Sequence, residues 1–334
     1  MRFVFLIPDL DTSRSGQIFS SIASKLSRFE MFDQFFRYRY LRVWEVFGGT
    51  LNIMRHCQVA RSQGAEAVVA TISGRDTYGE WGLPGLPYIR WTDRSPDDIC
   101  IVPDFVSNLA DEVTGKAIVY LQVPIHTRAN FHYQDDRIAL WTDSPYMQEI
   151  CHVTYPGKQV EIVPNIIDRD KFPFIPQSKR EPGLVFAFPR KGPEFIAATQ
   201  EWYRKLGGTY WRFELIDGLS IHELAKQFRR PQVFLASAEV EGCALPPQES
   251  MASGIVVVGK TARGANFSMQ HGKTAMVAES PEEAARCLLE LEDRELRDSI
   301  AQNAYHYISR YFWDGEPARF WQKTIAYYST QKLS

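Results

Sequence analysis

The stretch AEVEGCALPPQESMASG, residues 238–254, decides how this chain is read. Glu241 and Glu249 are separated by seven residues, with Gly242, Cys243, Ala244, Leu245 and the pair Pro246–Pro247 between them. Before it, Gln232–Ala236 is an apolar, strand-like run. After it come a helix-like ESMASG and the run Ile255–Val258. Strand, tight loop, helix and strand in that order place both carboxylates at one mouth of a parallel sheet, where open α/β sheets bind ligands. Glu249 is expected to start a helix over 249–253, where its charge suits the helix dipole. A carboxylate there can accept from both hydroxyls of a ribose or a sugar. The amides of Gly242–Leu245 can face a phosphate or a hydroxyl. Two other readings stay open: a pair of surface glutamates near helix starts, and an acid/base pair flanking a glycosidic bond.

Working outward, Leu184–Phe188 reads as a strand, Pro189-Arg190-Lys191-Gly192 as a turn and Pro193–Leu206 as a helix with proline in its first turn. Two cations beside a glycine in a strand-to-helix turn suit a diphosphate when taken with the 238–254 stretch; alone, they read as a solvated basic turn. Trp211–Ile216 reads as a strand. Ser220 with Glu223 makes a capping box for a helix through Phe228, and Ser280-Pro281-Glu282-Glu283 starts another. A helical tail from Glu290 is interrupted near Trp313-Asp314-Gly315.

In the N-terminal half, strands are expected at Arg2–Leu10, Ala67–Thr71, Asp98–Phe105, Lys116–Val123, Arg137–Thr142 and Gln159–Val163, with a helix at Val106–Gly115 and another from Ser144. Gly48–Gly49 is read as a strand-to-helix turn able to approach a ligand closely, or as an ordinary helix entry. Residues 11–47 form an insertion before it. Ser27–Phe47 in that insertion is rich in aromatics and carries Arg28, Arg37, Arg39 and Arg42. It admits three readings: a helix with aromatic core and solvated arginines, a surface helix on anionic lipid, or a wall that stacks on an acceptor sugar. His126, in a loop after the 116–123 strand with Arg128 and His132, is a candidate catalytic residue. Asp9, Asp11 and Asp104 are weaker acceptor contacts.

The chain has 334 residues, long enough for two domains, with 45% hydrophobic and 23% charged residues. Its net charge of −2 argues against a general nucleic-acid binder. Five scattered cysteines without a CxxC pair point to a reducing compartment and to neither zinc nor a disulfide framework. No apolar run approaches a membrane span, and the N-terminus lacks the pattern of a signal peptide. A cytoplasmic protein is expected, with peripheral contact at the inner membrane through 27–47 left open.

The segment SAEVEGCALPPQESMASGIVVV resembles the signature of retaining glycosyltransferases of family 4, the glycosyl transferases group 1. That signature is a glutamate, seven residues, a second glutamate, a small-residue helix and a valine-rich strand. Gly264-Ala265-Asn266 and His271-Gly272-Lys273-Thr274-Ala275 are similar to the family's glycine loop and following turn, Val160–Asp168 to its linker entrance, and FPRKG to its cationic turn. The resemblance implies a GT-B fold, α/β with two Rossmann-like doubly wound domains facing a cleft. It divides the chain into an acceptor domain (1–165, with the 11–47 insertion), a linker (166–183), a nucleotide-sugar domain (184–312) and a C-terminal helix (313–334) that packs back on the first domain. It implies metal-independent transfer, with retention, from a nucleoside-diphosphate sugar to a glycan, lipid-linked or small-molecule acceptor. The nucleotide sugar is a co-substrate and no separate cofactor is expected. By the resemblance Glu249 binds the donor ribose, Glu241 the transferred sugar, and Arg190 and Lys191 the diphosphate, with the amides near Cys243–Leu245. Gly48–Gly49 resembles a glycine pair near the family's start. This sequence departs from the pattern at the adjacent Arg190 and Lys191, at Ala244 and at Ile166. The rival readings are a non-catalytic sugar-nucleotide-binding or membrane-associated partner, and a hydrolase or epimerase using the same carboxylates.

Overall fold

The computed structural model describes residues 1–7, 48–72, 83–124 and 135–330. The 11–47 insertion, the 27–47 run, His126, Asp9 and Asp11 lie outside the described residues. The chain divides into two compact units. One comprises Met1–Thr142, Cys151–Glu161 and Ala318–Ser334; the other comprises Asp143–Ile150 and Ile162–Pro317.

In the first unit, β1 (Arg2–Ile7), β2 (Glu66–Thr71), β3 (Tyr88–Arg90), β4 (Ile99–Pro103), β5 (Lys116–Leu121), β6 (Ile138–Thr142) and β7 (Val160–Ile162) form one sheet in the order β3-β2-β1-β4-β5-β6-β7. The pairings from β3 through β6 are parallel. β1 and β4 start near-continuous apolar runs that bury almost every residue, as a sheet covered on both faces requires. Three-residue β3 is too short to show a period, and nothing in its sequence announces it. Gly48 and Gly49 are not a turn before a helix: they are the first two residues of α1 (Gly48–Ser62). What glycine permits at Gly49 is the close approach of Gln122, since a Cβ there would sit 2.9 Å from Gln122 Oε1. The helix expected at 106–115 is a 3-10 helix, Asp104–Glu112, kinked at Val106. Asp104 explains it. Its buried carboxylate accepts from the amides of Phe105, Gln122 and Val123, which ties this segment to the exit of β5. α2 (Pro145–Thr154) follows β6.

In the second unit, β8 (Leu184–Ala187), β9 (Arg212–Leu215), β10 (Val233–Ala236), β11 (Val256–Gly259) and β12 (Met276–Val277) form a parallel sheet in the order β12-β11-β10-β8-β9. Alternate residues feed two cores. Val185, Val233, Leu235, Val256 and Val258 pack with α3 (Pro193–Lys205). Phe186, Phe234 and Val257 pack on the other face with Phe228, at the end of α4 (Ile221–Gln227), and with Met251 of α5 (Leu245–Ser253). α6 (Pro281–Glu290) and α7 (Arg294–Ile308) complete the unit. Both capping boxes form: Ser220 with Glu223, and Ser280 with Glu283. The helical tail breaks at Leu291–Asp293, where Asp293 caps α7, and again at 313–315 before α8 (Glu316–Thr330). Trp321 of α8 is fully buried in the first unit. Its ring lies 5.2 Å from Phe3 and 5.5 Å from Phe5, and its Nε1 donates to His56 Nδ1 at 3.0 Å.

A buried cation ties the 175–180 segment to this sheet. The Arg180 guanidinium donates to the carbonyls of Ile175, Phe228, Pro231 and Ser253 and is 4% exposed. Beside it, Gln177 Nε2 donates to the Gln232 and Gly254 carbonyls at 3.0 and 2.7 Å. At the sheet edge, Arg230 bridges Glu181 and Glu214.

Two stability outcomes follow from these contacts. Arg180→Met leaves several buried carbonyls without a donor, and urea denaturation should show a loss of about 3 kcal/mol; a loss below about 0.5 kcal/mol contradicts the role given to Arg180. Hydrogen bonding to Arg230 holds the Glu214 carboxyl below its ordinary 4.5. A depressed carboxylate pKa stabilises the fold above the unfolded value, and the contribution disappears as pH falls through the folded one. Wild type should therefore exceed Glu214→Gln by up to about 1 kcal/mol at pH 7, and the two should converge under acid. A gap that widens as pH falls below 4.5 contradicts this sign.

Candidate donor-binding site

The order of the second sheet reverses between β8 and β10, and open α/β sheets bind ligands at the carboxyl ends of such strands. The chain leaving β8 is Phe188-Pro189-Arg190-Lys191-Gly192, and the chain leaving β10 runs from Ser237 to Glu241. Gly192, at the N-cap of α3, has φ +87°, the left-handed region that a glycine enters without strain. Its lack of a side chain is also required by space, because a Cβ there would collide with the Ser237 carbonyl. Ser237 Oγ donates to the Lys191 carbonyl, so the two exits are joined at this crossing. Lys191 Nζ in turn pairs with Glu241 Oε1. The glutamate side chain is 14% exposed and the lysine 47%. Arg190 is exposed and makes no hydrogen bond or ion pair among the described residues. Sequence positions 190, 191 and 241 thus converge on one mouth.

Glu249 departs from the expected position. It does not start a helix; it is the fifth residue of α5, buried at 2% exposure. The helix begins at Leu245 because Pro246 and Pro247 occupy its first turn, where no backbone donor is needed. The loop Gly242–Ala244 therefore leads directly into the helix. Cys243 is buried, and burial pushes its thiol well above the usual range, with Asp143 and Glu241 adding to the effect. It is a neutral packing group rather than a nucleophile.

Several residues here carried no signal strong enough to single them out. Lys260, just past β11, pairs with Glu239 and lies 5.1 Å over the Phe195 ring; Arg263 approaches the same carboxylate at 3.9 Å. Lys260 holds the exposed Glu239 carboxyl below its usual range. Ala262 and Arg263 both have positive φ, 51° and 59°, a strained arrangement at the mouth of β11. Ser144, Asn165 and Asn266 hold the 242–244 loop from three sides: Ser144 Oγ donates to Gly242 O at 2.6 Å, Asn165 Nδ2 to Cys243 O at 3.1 Å, and Ala244 N to Asn266 Oδ1 at 3.1 Å. Asn165 and Asn266 stand inside segments legible as a linker entrance and a glycine loop, but which backbone group they grip depends on tertiary contact. Among the described residues, no three His, Cys, Asp or Glu side chains come together to hold a metal, and no helix is long and apolar enough to cross a membrane.

The model of the family Glycosyl transferases group 1 matches residues 212–307, a segment running from β9 to α7. No protein of curated function matches the sequence significantly. Among solved structures, a sucrose-phosphate synthase from Thermosynechococcus elongatus is similar with a TM-score of 0.62 at 13% identity, over 86% of this chain and 94% of that one. Anabaena Alr3699/HepE, solved with UDP and glucose, gives 0.58 at 13% identity, over 83% and 95%. The pneumococcal O-GlcNAc transferase GtfA, solved with UDP and GlcNAc, gives 0.54 at 14% identity over 71% of this chain; the likeness spans 58% of that protein's length. The chain therefore has the α/β fold of the GT-B glycosyltransferases, with parallel sheets in both units, and its segment 212–307 is similar to the glycosyl transferases group 1.

Proposed function

We propose that this protein is a glycosyltransferase that moves a sugar from a nucleoside-diphosphate sugar to an acceptor, with the donor held by the second unit. The observation that carries the reading is the Lys191–Glu241 pair at the point where the second sheet reverses, with Arg190 exposed beside it. An incoming diphosphate competes with the Glu241 carboxylate for the lysine. Once released, Glu241 can accept from a sugar hydroxyl, while Lys191 and Arg190 offset the charge that grows on the leaving diphosphate. These two cations do the work a metal does elsewhere, which supports a metal-independent reaction. Glu249, one residue beyond Gln248 on α5, is the proposed ribose contact.

Retention of configuration rests on the likeness of the 237–258 segment to its family. In that reaction the bond between the anomeric carbon and the diphosphate oxygen breaks. The acceptor oxygen bonds to the same face, and the leaving phosphate takes the acceptor proton. The fold neighbours solved with UDP support a nucleotide ligand of this class. The acceptor is proposed as a glycan, a lipid-linked sugar or a small molecule. Contact of 27–47 with an anionic membrane surface is a separate proposal, resting on four arginines interleaved with aromatics.

A nucleoside-diphosphate release assay over a panel of UDP-, GDP-, ADP- and TDP-sugars tests the reading. One donor class should be turned over, Lys191→Ala should lower kcat/KM by about 100-fold, and Glu249→Ala should weaken nucleotide binding. The proposal fails if no donor is consumed and Glu249→Ala binds nucleotide as tightly as wild type. Release of diphosphate with water as the only acceptor would make the protein a nucleotide-sugar hydrolase instead. For the membrane contact, anionic liposomes should sediment the protein at low salt and release it at high salt; no sedimentation at low salt removes that proposal.

A further inference from the structure

We infer that Asn165 is a positioning residue that aims the amides of the Gly242–Leu245 loop and sets their register against Glu249. The inference rests on the reading of that loop as a donor contact. Asn165 is 4% exposed, and its single amide nitrogen grips two elements at once. Nδ2 donates to Cys243 O in the loop and to Gln248 Oε1 on α5, each at 3.1 Å. The Gln248 side chain, 1% exposed, closes the circuit by donating from Nε2 to Cys243 Sγ at 3.2 Å. Glu249 is the next residue of the helix that Gln248 anchors. One side chain thereby couples the loop to the helix carrying the second glutamate.

The consequence for the loop follows from the geometry of a trans peptide, whose C=O and N–H point in opposite directions. Ser144 holds the Gly242 carbonyl, so the Cys243 N–H is turned the other way. Asn165 holds the Cys243 carbonyl and Asn266 holds the Ala244 N–H, so that peptide is clamped at both ends. The amides of Gly242, Cys243 and Leu245 have no acceptor among the described residues. Pro246 and Pro247 have no N–H, so the helix itself adds no other donor in its first turn. The grip of Ser144 on the Gly242 carbonyl thus aims the Cys243 N–H, while Asn165 fixes the next peptide, Cys243–Ala244, between that amide and Leu245, and is the side chain that also reports the position of α5.

The experiment uses Asn165→Asp, which keeps shape and removes the donors, and Asn165→Ala. Two readouts are taken. The first is thiol labelling of the native protein with Ellman's reagent. All five cysteines are buried, so wild type should react slowly. Each variant should gain one reactive thiol, and Cys243→Ser in the same background should abolish it. The second is a comparison of turnover with binding, using UDP-glucose and UDP first and any other donor the panel shows to be consumed. Turnover should fall about 100-fold, whereas affinity for the nucleoside diphosphate should fall by about tenfold or less, because the cations of the β8 exit are untouched. The inference is overturned if Cys243 stays protected in both variants, or if turnover, diphosphate affinity and thermal stability fall together as in general unfolding. If wild type consumes no donor, the donor reading fails, and the labelling result still decides whether Asn165 holds the loop.

Discussion

The mouth of the second sheet depends on the crossing of two strand exits at Gly192. The backbone leaving β8 turns through a left-handed conformation against the Ser237 carbonyl, at a spacing no side chain tolerates. The Ser237 hydroxyl then fastens the crossing to the Lys191 carbonyl. Everything chemical at this mouth is downstream of it. Lys191 reaches Glu241 only because the exits of β8 and β10 are held together, and Arg190 is presented to solvent as the preceding residue of the same turn. A glycine with a cation on its N-terminal side is thus a construction element of the second unit as well as a motif.

Behind that mouth lies a different class of interaction. Arg180, Gln177 and Asn165 are buried polar side chains that spend their donors on backbone carbonyls of loops and helix ends. Buried polar groups of this kind are costly to leave half satisfied, so they hold irregular backbone in one geometry. The cations of the mouth are different. Lys191 and Lys260 pair with carboxylates that stand at the same mouth, and exposed pairs of that sort contribute little to stability. The second unit therefore separates rigidity from charge: stiffness comes from the buried donors, and the ion pairs stand at the strand exits.

Most of the second unit was legible in the chain. The apolar runs at 184–188, 232–236 and 255–258, the two serine–glutamate capping boxes and the proline at the start of α3 all depend on local rules, and each element stands where its residues place it. The start of α5 lies earlier than the sequence suggests because Pro246–Pro247 reads as a loop, yet proline is compatible with a first helical turn. The helix expected at 106–115 is a 3-10 segment at 104–112 for another reason: Asp104 takes amides eighteen and nineteen residues away, which no local period displays. β3 and β12, of three and two residues, exist only as pairings with their neighbours. The convergence of Arg190, Lys191 and Glu241 on one mouth was legible from their positions after β8 and β10. Asn165, Asn266 and Ser144 were not, because their roles lie in which carbonyl or amide they meet after folding.

The central claim is that the exits of β8 and β10 form an anion-accepting mouth for a nucleoside diphosphate. Hydrogen–deuterium exchange of the whole protein, with and without saturating UDP, GDP, ADP or TDP, tests it most directly. At least one of these should slow exchange in 188–193 and 240–249, while the edge strand β9 is unaffected. Protection confined to other segments, or no change at 188–193 with any of the four, would contradict it.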